Sequence, residues 1–528
     1  MPYIKKLRLE NFKKFKSLEI DLCSDINTII GDNEAGKSSI IQALELVCSG
    51  SRSRVEGIGI ESLLNRELVK NFEEDQSLNK TISDLPKLNI EIYLENNENI
   101  PELEGKLNLS KINASGLSLI YEPNENLSQE IKLVLSQDPS NFPYEYYVVK
   151  FSTFSGEAYS SNNRYLRALL IDNSQINSEY ANREYTKNFF RSQIDEVQRI
   201  KLKNEYRSHK NSFKQDKLSQ ITTDTSEFNF SLRSNSKSNL ETDISLNQDG
   251  IPIEDRGKGH QCFIKTELVL NQNTNRSLDI LFLEEPENHL SHSKMKLLIS
   301  KISESHSKQI IIATHSSLIS TRLDLRKAIL LNSSNQKSLT LNGLTDETSK
   351  FFMKSPTNNI LEFILSQKVI LVEGDAEYIL IEKLYESVAG NSPNKDGIHI
   401  ISVGGLSFKR YLELAKILNI KVAVIRDNDG DIQKNCIENY ADYSGSNINI
   451  FSDQDNLRTT FEICIYNDNK SFCDKLFTTS RIKLPPLDYM LKSKAEAAFR
   501  IIDSLDKNPL IRITTPKYIK QAIEWIKR

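Results

Sequence analysis

The chain has 528 residues but only one tryptophan, four methionines, 14 prolines and 19 glycines. So little proline and glycine excludes a collagen-like or low-complexity chain. No apolar run approaches the roughly 18 residues of a membrane span, which excludes a helical membrane anchor. The opening residues Met1-Pro2-Tyr3-Ile4-Lys5-Lys6-Leu7-Arg8-Leu9 alternate charge and apolar character and contain no signal-peptide core, so the cytoplasm is the expected compartment. The six cysteines (23, 48, 262, 436, 464 and 473) form no C-x-x-C pair, so neither a disulfide framework nor a zinc site is expected, and they read as reduced core thiols. No heptad run is long enough for a coiled-coil arm. A surplus of one charge is missing too: 68 basic residues face 71 acidic ones, a net charge of −3. A polycation that coats nucleic acid is thereby excluded, while a local basic groove is not.

With 38% hydrophobic and 26% charged residues, the chain reads as globular and long enough for roughly three or four domains. Strand-like alternation appears at 4–9, 17–22 and 89–94, and a short apolar strand at 26–30 precedes an amphipathic helix at 39–47. From about 96 to 230 the pattern weakens, with a strand-like piece at 146–149 and polar helix over 185–220. Apolar strands return at 278–283 and 309–313. Residues 333–350, rich in Ser, Asn and Thr, read as a linker region. A second strand–helix series starts at Val369 and repeats at 398–403 and 421–425, the alternation expected of parallel α/β sheets.

Gly31-Asp32-Asn33-Glu34-Ala35-Gly36-Lys37-Ser38 matches G-x-x-x-x-G-K-[ST] between a strand and a helix. The glycines let backbone N–H groups turn toward phosphate oxygens, the helix N-terminus adds its dipole, Lys37 supplies charge and the Ser38 hydroxyl can ligate Mg²⁺. Nucleotide contacts are expected from Gly31, Asn33, Gly36, Lys37, Ser38 and Ser39. Downstream, Leu281-Phe282-Leu283-Glu284-Glu285-Pro286 carries two carboxylates on the end of a buried strand. Glu284 is expected to hold Mg²⁺ through water and Glu285 to polarise an attacking water. His315, after the strand Ile310-Ile311-Ile312-Ala313-Thr314, is expected near a γ-phosphate.

A second acidic set lies in the last third. Val369-Ile370-Leu371-Val372-Glu373-Gly374-Asp375-Ala376-Glu377 delivers Glu373 from an apolar strand and Glu377 just after it. Val422-Ala423-Val424-Ile425-Arg426-Asp427-Asn428-Asp429 delivers an Asp-x-Asp pair. If that strand continues through them, Asp427 and Asp429 share one face. Oxygen ligands of this kind suit Mg²⁺ or Mn²⁺, which can act on phosphate esters.

These motifs carry a resemblance. The N-terminal strands, phosphate loop, Glu284-Glu285-Pro286-Glu287 and Ala313-Thr314-His315-Ser316 look like the ABC-type ATPase heads of the SMC, RecF and OLD (overcoming lysogenisation defect) group. Arg256-Gly257-Lys258-Gly259-His260-Gln261 resembles the OLD-like signature and lacks the serine of transporter signatures, and Glu284 stands where many such heads have Asp. The second set resembles a Toprim domain, which implies a metal centre of Glu373, Asp427 and Asp429, with Glu377 an additional ligand. Thr459-Thr460-Phe461-Glu462 and Met490-Leu491-Lys492-Ser493-Lys494 are similar to later OLD segments. They imply Glu462 as a second-metal ligand and Lys494, with Lys492 as its alternative, as a transition-state stabiliser.

The order of motifs is that of OLD-family nucleases, and the chain looks like the nuclease subunit of the Gabija antiphage system. The fold implied is α/β: an ABC-type ATPase head with an inserted helical dimerisation domain, then a C-terminal Toprim domain. The expected boundaries are head 1–95, insertion 96–230, head 231–345, linker 346–366 and Toprim 367–528. The resemblance implies a Mg²⁺- or Mn²⁺-dependent DNA endonuclease or nickase regulated by ATP, acting on double-stranded DNA as at least a dimer beside a UvrD-like helicase subunit. A nucleotide-switched repair scaffold with a non-catalytic Toprim module is the alternative. Arg199, Lys201, Lys203, Arg207, Lys210, Lys214 and Lys217 form a cationic stretch that could track a phosphate backbone, or simply face solvent. Asn11-Phe12-Lys13-Lys14-Phe15 is a second basic, aromatic strip, similar to the start of RecF-like heads, where it is chiefly structural.

Overall fold

Alternation at the N-terminus produces an antiparallel sheet. Along Tyr3–Phe12, residues Leu7, Leu9 and Phe12 are buried while Arg8 and Glu10 point outward. The computed structural model describes residues 2–75, 80–95, 100–174, 179–218, 232, 239–271, 278–305, 308–331, 338–355, 359–405, 407–478, 482–508 and 510–528. The chain divides into two units, 1–319 with 327–338, and 320–326 with 339–528.

The first unit contains two sheets. The antiparallel one runs in the order Phe15–Asp21, Tyr3–Phe12, Leu88–Glu95, Ala114–Pro123, Tyr147–Thr153. Its last two strands fall within 96–230, so that segment is not a separate insertion throughout. They pair, directly and in turn, with Leu88–Glu95, and long polar loops between them hide the alternation from a sequence reading. The polar helices Glu179–Gln193 and Glu196–Asp216 are the helical part of the expected insertion, and residues 219–230 lie outside the described residues.

The second sheet of this unit carries five parallel strands in the order Ala328–Leu331, Ile26–Gly31, Gln309–Thr314, Ile280–Glu284, Ala168–Asp172. Ile280, Leu281, Phe282 and Leu283 are all fully buried, the continuous apolar run of a strand covered on both faces. Register places Glu284 beside both Ala313 and Asp172, and Thr314 beside Ile30, so the motif-bearing strand ends lie along one edge.

The second unit is built on a four-stranded parallel sheet in the order Ile398–Ser402, Lys368–Val372, Lys421–Ile425, Ile448–Phe451. The helices Asp375–Ala389, Lys494–Lys507 and Lys517–Lys527 supply buried apolar side chains to its core, among them Leu380, Ile501 and Ile523. Residues 346–366, expected as a linker, include the helices Asp346–Lys354 and Ile360–Leu365. Phe352, Ile360 and Phe363 are buried there, so apolar burial overrides the polar composition.

No cysteine of the described residues is in a disulfide. Five are buried as expected of core thiols, but Cys23 is exposed. Among the described residues, no helix is long and apolar enough to cross a membrane.

Phe282 sits at the centre of the first unit's core. Phe282→Ala is expected to destabilise that unit by about 3–5 kcal/mol, seen as a lower denaturant midpoint. A loss below about 1 kcal/mol would place Phe282 outside a close-packed core.

Candidate functional site

The phosphate loop is shaped as its sequence requires. Gly36 has φ 100° and Glu34 φ 68°, and helix Lys37–Ser49 starts directly behind them. A side chain at Gly36 would meet the ring of Phe15, so the hairpin tip Asn11–Phe15 packs under the loop. The Lys37 ammonium folds back onto the loop and donates to the carbonyls of Gly31 at 2.8 Å and Asp32 at 3.1 Å. Ser38 hydrogen-bonds Glu284 across the sheet edge, while burial pushes the Glu284 carboxyl up. Asn33 and Ser38 are exposed and Ser39 half-buried on the same turn.

Glu285 follows in the left-handed region (φ 47°), a strained conformation for a side chain of its size. Its carboxylate lies 2.8 Å from Nδ1 of His315, an exposed residue, so the structure places this histidine on the second glutamate. Glu287 accepts from the Thr314 hydroxyl and from the His315 N–H at 3.1 Å. Burial and the neighbouring Glu287 push the Glu285 carboxyl well above the usual range. Oxygens of Glu285 and Glu287 and a nitrogen of His315 all lie within 4.8 Å of one another. Glu287 and Lys13, which acts on the charge of Glu284, were not singled out for this site from sequence. Glu287 stood in the quoted motif, but nothing in its spacing marks it as the partner of His315.

The signature segment opens helix Lys258–Leu270. A side chain at Gly259 would collide with the His289 carbonyl, which explains glycine there, and Gln261 donates to the carbonyls of Glu254 and Arg256. In the basic helix Glu196–Asp216, Lys203 pairs with the buried Glu241 at 2.7 Å and Lys210 with Asp243 at 3.1 Å. Part of the cationic stretch is therefore neutralised within the unit.

In the second unit, Glu373 leaves the end of Lys368–Val372 and Glu377 lies in the first turn of the following helix, where it accepts from the Gly374 N–H at 3.2 Å. The strand Lys421–Ile425 stops before the Asp-x-Asp pair, so the two aspartates do not share a strand face. Asn428 is buried and donates to the carbonyls of Asp453 and Asp455, pulling the chain into a turn in which Asp429 takes φ 49°. Asp427 is 8% exposed and accepts from the Phe461 N–H at 2.7 Å, at the N-terminus of helix Phe461–Asp468. Asp429 is 51% exposed and faces Arg426. Glu462, on the next residue of that helix, has a side chain only 3% exposed and lies 2.9 Å from the Lys494 ammonium. Lys494, and not Lys492, is thus the lysine paired with Glu462.

These groups sense one another. Burial pushes the Asp427 carboxyl up to about 8, reinforced by Glu377, Glu462 and Glu373. Burial also raises Glu373 and Glu377. Lys494 is held above its usual value: burial acts against it, but its bond to Glu462 and the charges of Glu462, Asp427 and Glu377 outweigh that. One oxygen of Glu373 and one of Glu462 are buried with no hydrogen-bond partner among the described residues. An all-oxygen donor set with unsatisfied carboxylates has the chemistry of a hard divalent-cation site, although among the described residues only the Glu285, Glu287 and His315 ligand atoms lie within 4.8 Å of one another. Arg426, missed in the sequence reading, lies 3.6 Å from Asp429 and acts on the charge of Glu373.

A cation that takes Asp427 must displace its proton, because the carboxyl is protonated below about 8. Affinity for Mn²⁺, followed by calorimetry, is therefore expected to rise from pH 6 to about 8, by up to tenfold per unit, and to level off above. A flat profile over that range would show that Asp427 is not among the ligands.

Comparison with known proteins agrees with this division. Residues 3–319 match the model of the AAA ATPase domain, and residues 364–429 that of the overcoming lysogenization defect protein-like Toprim domain. Endonuclease GajA of Bacillus cereus (strain HuB5-5) is 21% identical, over 90% of this chain and 82% of its own. The Old nuclease of Escherichia phage P2 is 24% identical, over 30% of this chain and 29% of its own. Among solved structures, the SMC head bound to the C-winged helix domain of ScpA covers 65% of this chain and 98% of its own, at 17% identity and a TM-score of 0.36. The domains implied are ones that bind a nucleotide and a divalent metal. The chain belongs to the AAA ATPase domain family, in the OLD arrangement of an ABC-type ATPase head followed by a Toprim domain.

Proposed function

We propose that the chain is a metal-dependent DNA endonuclease whose cutting is regulated by nucleotide binding in its ATPase head. The observation that carries this reading is the electrostatic coupling of Asp427 to Glu377, Glu462 and Glu373, with Lys494 2.9 Å from Glu462. Glu373, Asp427 and Asp429 hold one divalent cation in this reading, Mg²⁺ or Mn²⁺, and Glu377 and Glu462 extend the set toward a second. The bound cation supplies Lewis-acid stabilisation of charge at a phosphodiester. Lys494 offers an ammonium beside Glu462, suited to a phosphate oxygen that gains charge. The backbone N–H of Phe461 and the helix behind it keep Asp427 oriented.

In the head, Gly31, Asn33, Gly36, Lys37, Ser38 and Ser39 receive ATP, and Ser38 with Glu284 holds its Mg²⁺. Lys37 releases the carbonyls of its own loop to meet phosphate. Glu285, the residue expected to polarise an attacking water, lies 2.8 Å from His315. Relatives named as an endonuclease and a nuclease support a nucleic-acid substrate, which this reading takes to be double-stranded DNA. A homo-oligomer, a UvrD-like helicase partner and a role in antiphage defence complete the reading.

Supercoiled plasmid incubated with the protein and Mg²⁺ or Mn²⁺ should yield nicked or linear DNA. Glu373→Ala and Asp427→Ala are each expected to slow this by roughly a hundredfold or more. Cutting retained in both variants would move the active site elsewhere. Lys37→Ala should weaken ATP binding by about tenfold or more, measured by equilibrium titration, and unchanged affinity would refute the loop assignment.

A further inference from the structure

The Arg426 side chain is 5% exposed. A guanidinium does not lose its proton under such burial, so its charge must be compensated in place. Its neighbours are few. One terminal nitrogen donates to the Tyr440 hydroxyl. The other lies 3.6 Å from an Asp429 carboxylate oxygen. The guanidinium carbon stands 5.3 Å from the centre of the Tyr440 ring, and Nε has no hydrogen-bond partner among the described residues. Its backbone N–H donates to the Phe451 carbonyl at 3.0 Å, so the neighbouring strand Ile448–Phe451 fixes the base of the side chain. Tyr440 is itself buried and closes the far side. The guanidinium therefore faces Asp429, and Glu373 is the other carboxylate that feels its charge most directly.

Asp429 needs such a neighbour. It lies beyond the end of its strand, in a left-handed turn, half-exposed, and its backbone N–H is tied to the Thr459 carbonyl at 3.2 Å. Asp427, by contrast, is fixed by burial and by the Phe461 N–H. Without a partner for its carboxylate, Asp429 would sample solvent-facing rotamers and reach a cation only at an entropic cost.

Resting on the reading of this cluster as a divalent-cation site, we propose that Arg426 is its positioning residue. Backed by Tyr440, it turns Asp429 toward Glu373 and holds one Asp429 oxygen, leaving the other for the cation. Two physical effects oppose each other here. A fixed positive charge near the cluster repels a cation, whereas an oriented ligand binds it more tightly. The arrangement of Tyr440, Arg426 and Asp429 favours orientation, because Tyr440 anchors the guanidinium by a hydrogen bond and leaves its other terminal nitrogen 3.6 Å from the ligand carboxylate.

The test is Mn²⁺ titration of the full-length, DNA-free protein by calorimetry, with Glu373→Ala as the blank. Arg426→Lys keeps the charge and loses the planar fork; Arg426→Met loses both. Each is expected to weaken Mn²⁺ binding roughly tenfold or more, and Tyr440→Phe to weaken it less. In an Asp429→Asn background, Arg426→Lys should cost nothing further, a coupling that a general loss of structure would not show. Tighter or unchanged binding in Arg426→Met would mean that the charge merely repels, and equal losses in both backgrounds would make Arg426 a packing residue; either result overturns the inference. Should Arg426→Met fail to fold, as judged by thermal melting without metal, Arg426→Lys, Tyr440→Phe and the coupling decide. Wild-type protein that binds no Mn²⁺ would overturn the cation site itself, and the role of Arg426 with it.

Discussion

Mutual repulsion among carboxylates gathered at the ends of parallel strands is the constraint on which the Toprim unit depends. Glu373, Glu377, Asp427 and Glu462 lie close enough to alter one another's ionisation, and Asp429 adds to the charge around Glu373. Burial multiplies the effect by removing water. Several of these acids have a specific offset, while Glu373 keeps a buried oxygen with no hydrogen-bond partner among the described residues. Asp427 retains a proton and an N–H at a helix start, Glu377 lies in the first turn of its own helix, and Glu462 has Lys494. Asp429 has solvent on one side and Arg426 on the other. In the proposed reading, a divalent cation would relieve that repulsion.

The ATPase head solves a related problem in a different way. Its carboxylates follow one another at the end of the single strand Ile280–Glu284, and backbone conformation separates their surroundings. Glu284 points back toward the phosphate loop and meets Ser38. Glu285, one residue later and in a left-handed conformation, is turned toward Glu287 and His315 instead. Two neighbouring glutamates with the same side chain thus acquire different environments, one beside the loop lysine, the other in an acid–acid–imidazole group. Strain in the backbone at Glu285 is the local cost of that separation.

Much of this was legible in the primary structure. The phosphate loop, the two strand-end acidic motifs and the strand–helix alternation of the last third were read directly, because apolar runs and glycine turns are local signals. Other features were not. Residues 96–230 read as an insertion because their strands pair with partners outside the segment. Whether the strand continued through the Asp-x-Asp pair was left open, because nothing local shows that Asn428 is drawn to the carbonyls of Asp453 and Asp455. The pairing of His315 with Glu285 and Glu287 was not legible because those partners lie about thirty residues away in sequence.

The sequence by itself determined which side chains could do chemistry and on which strand ends they would stand, since hydrophobic patterning places strands and their termini without knowledge of neighbours. Tertiary structure alone decided which of them meet. Lys494 reaches Glu462 where Lys492 does not, Arg426 becomes a buried cation beside Asp429, and Asp427 is oriented by a helix that starts 34 residues later. Those outcomes rest on long-range packing and on charge in a water-poor interior, and neither is encoded in any short window of residues.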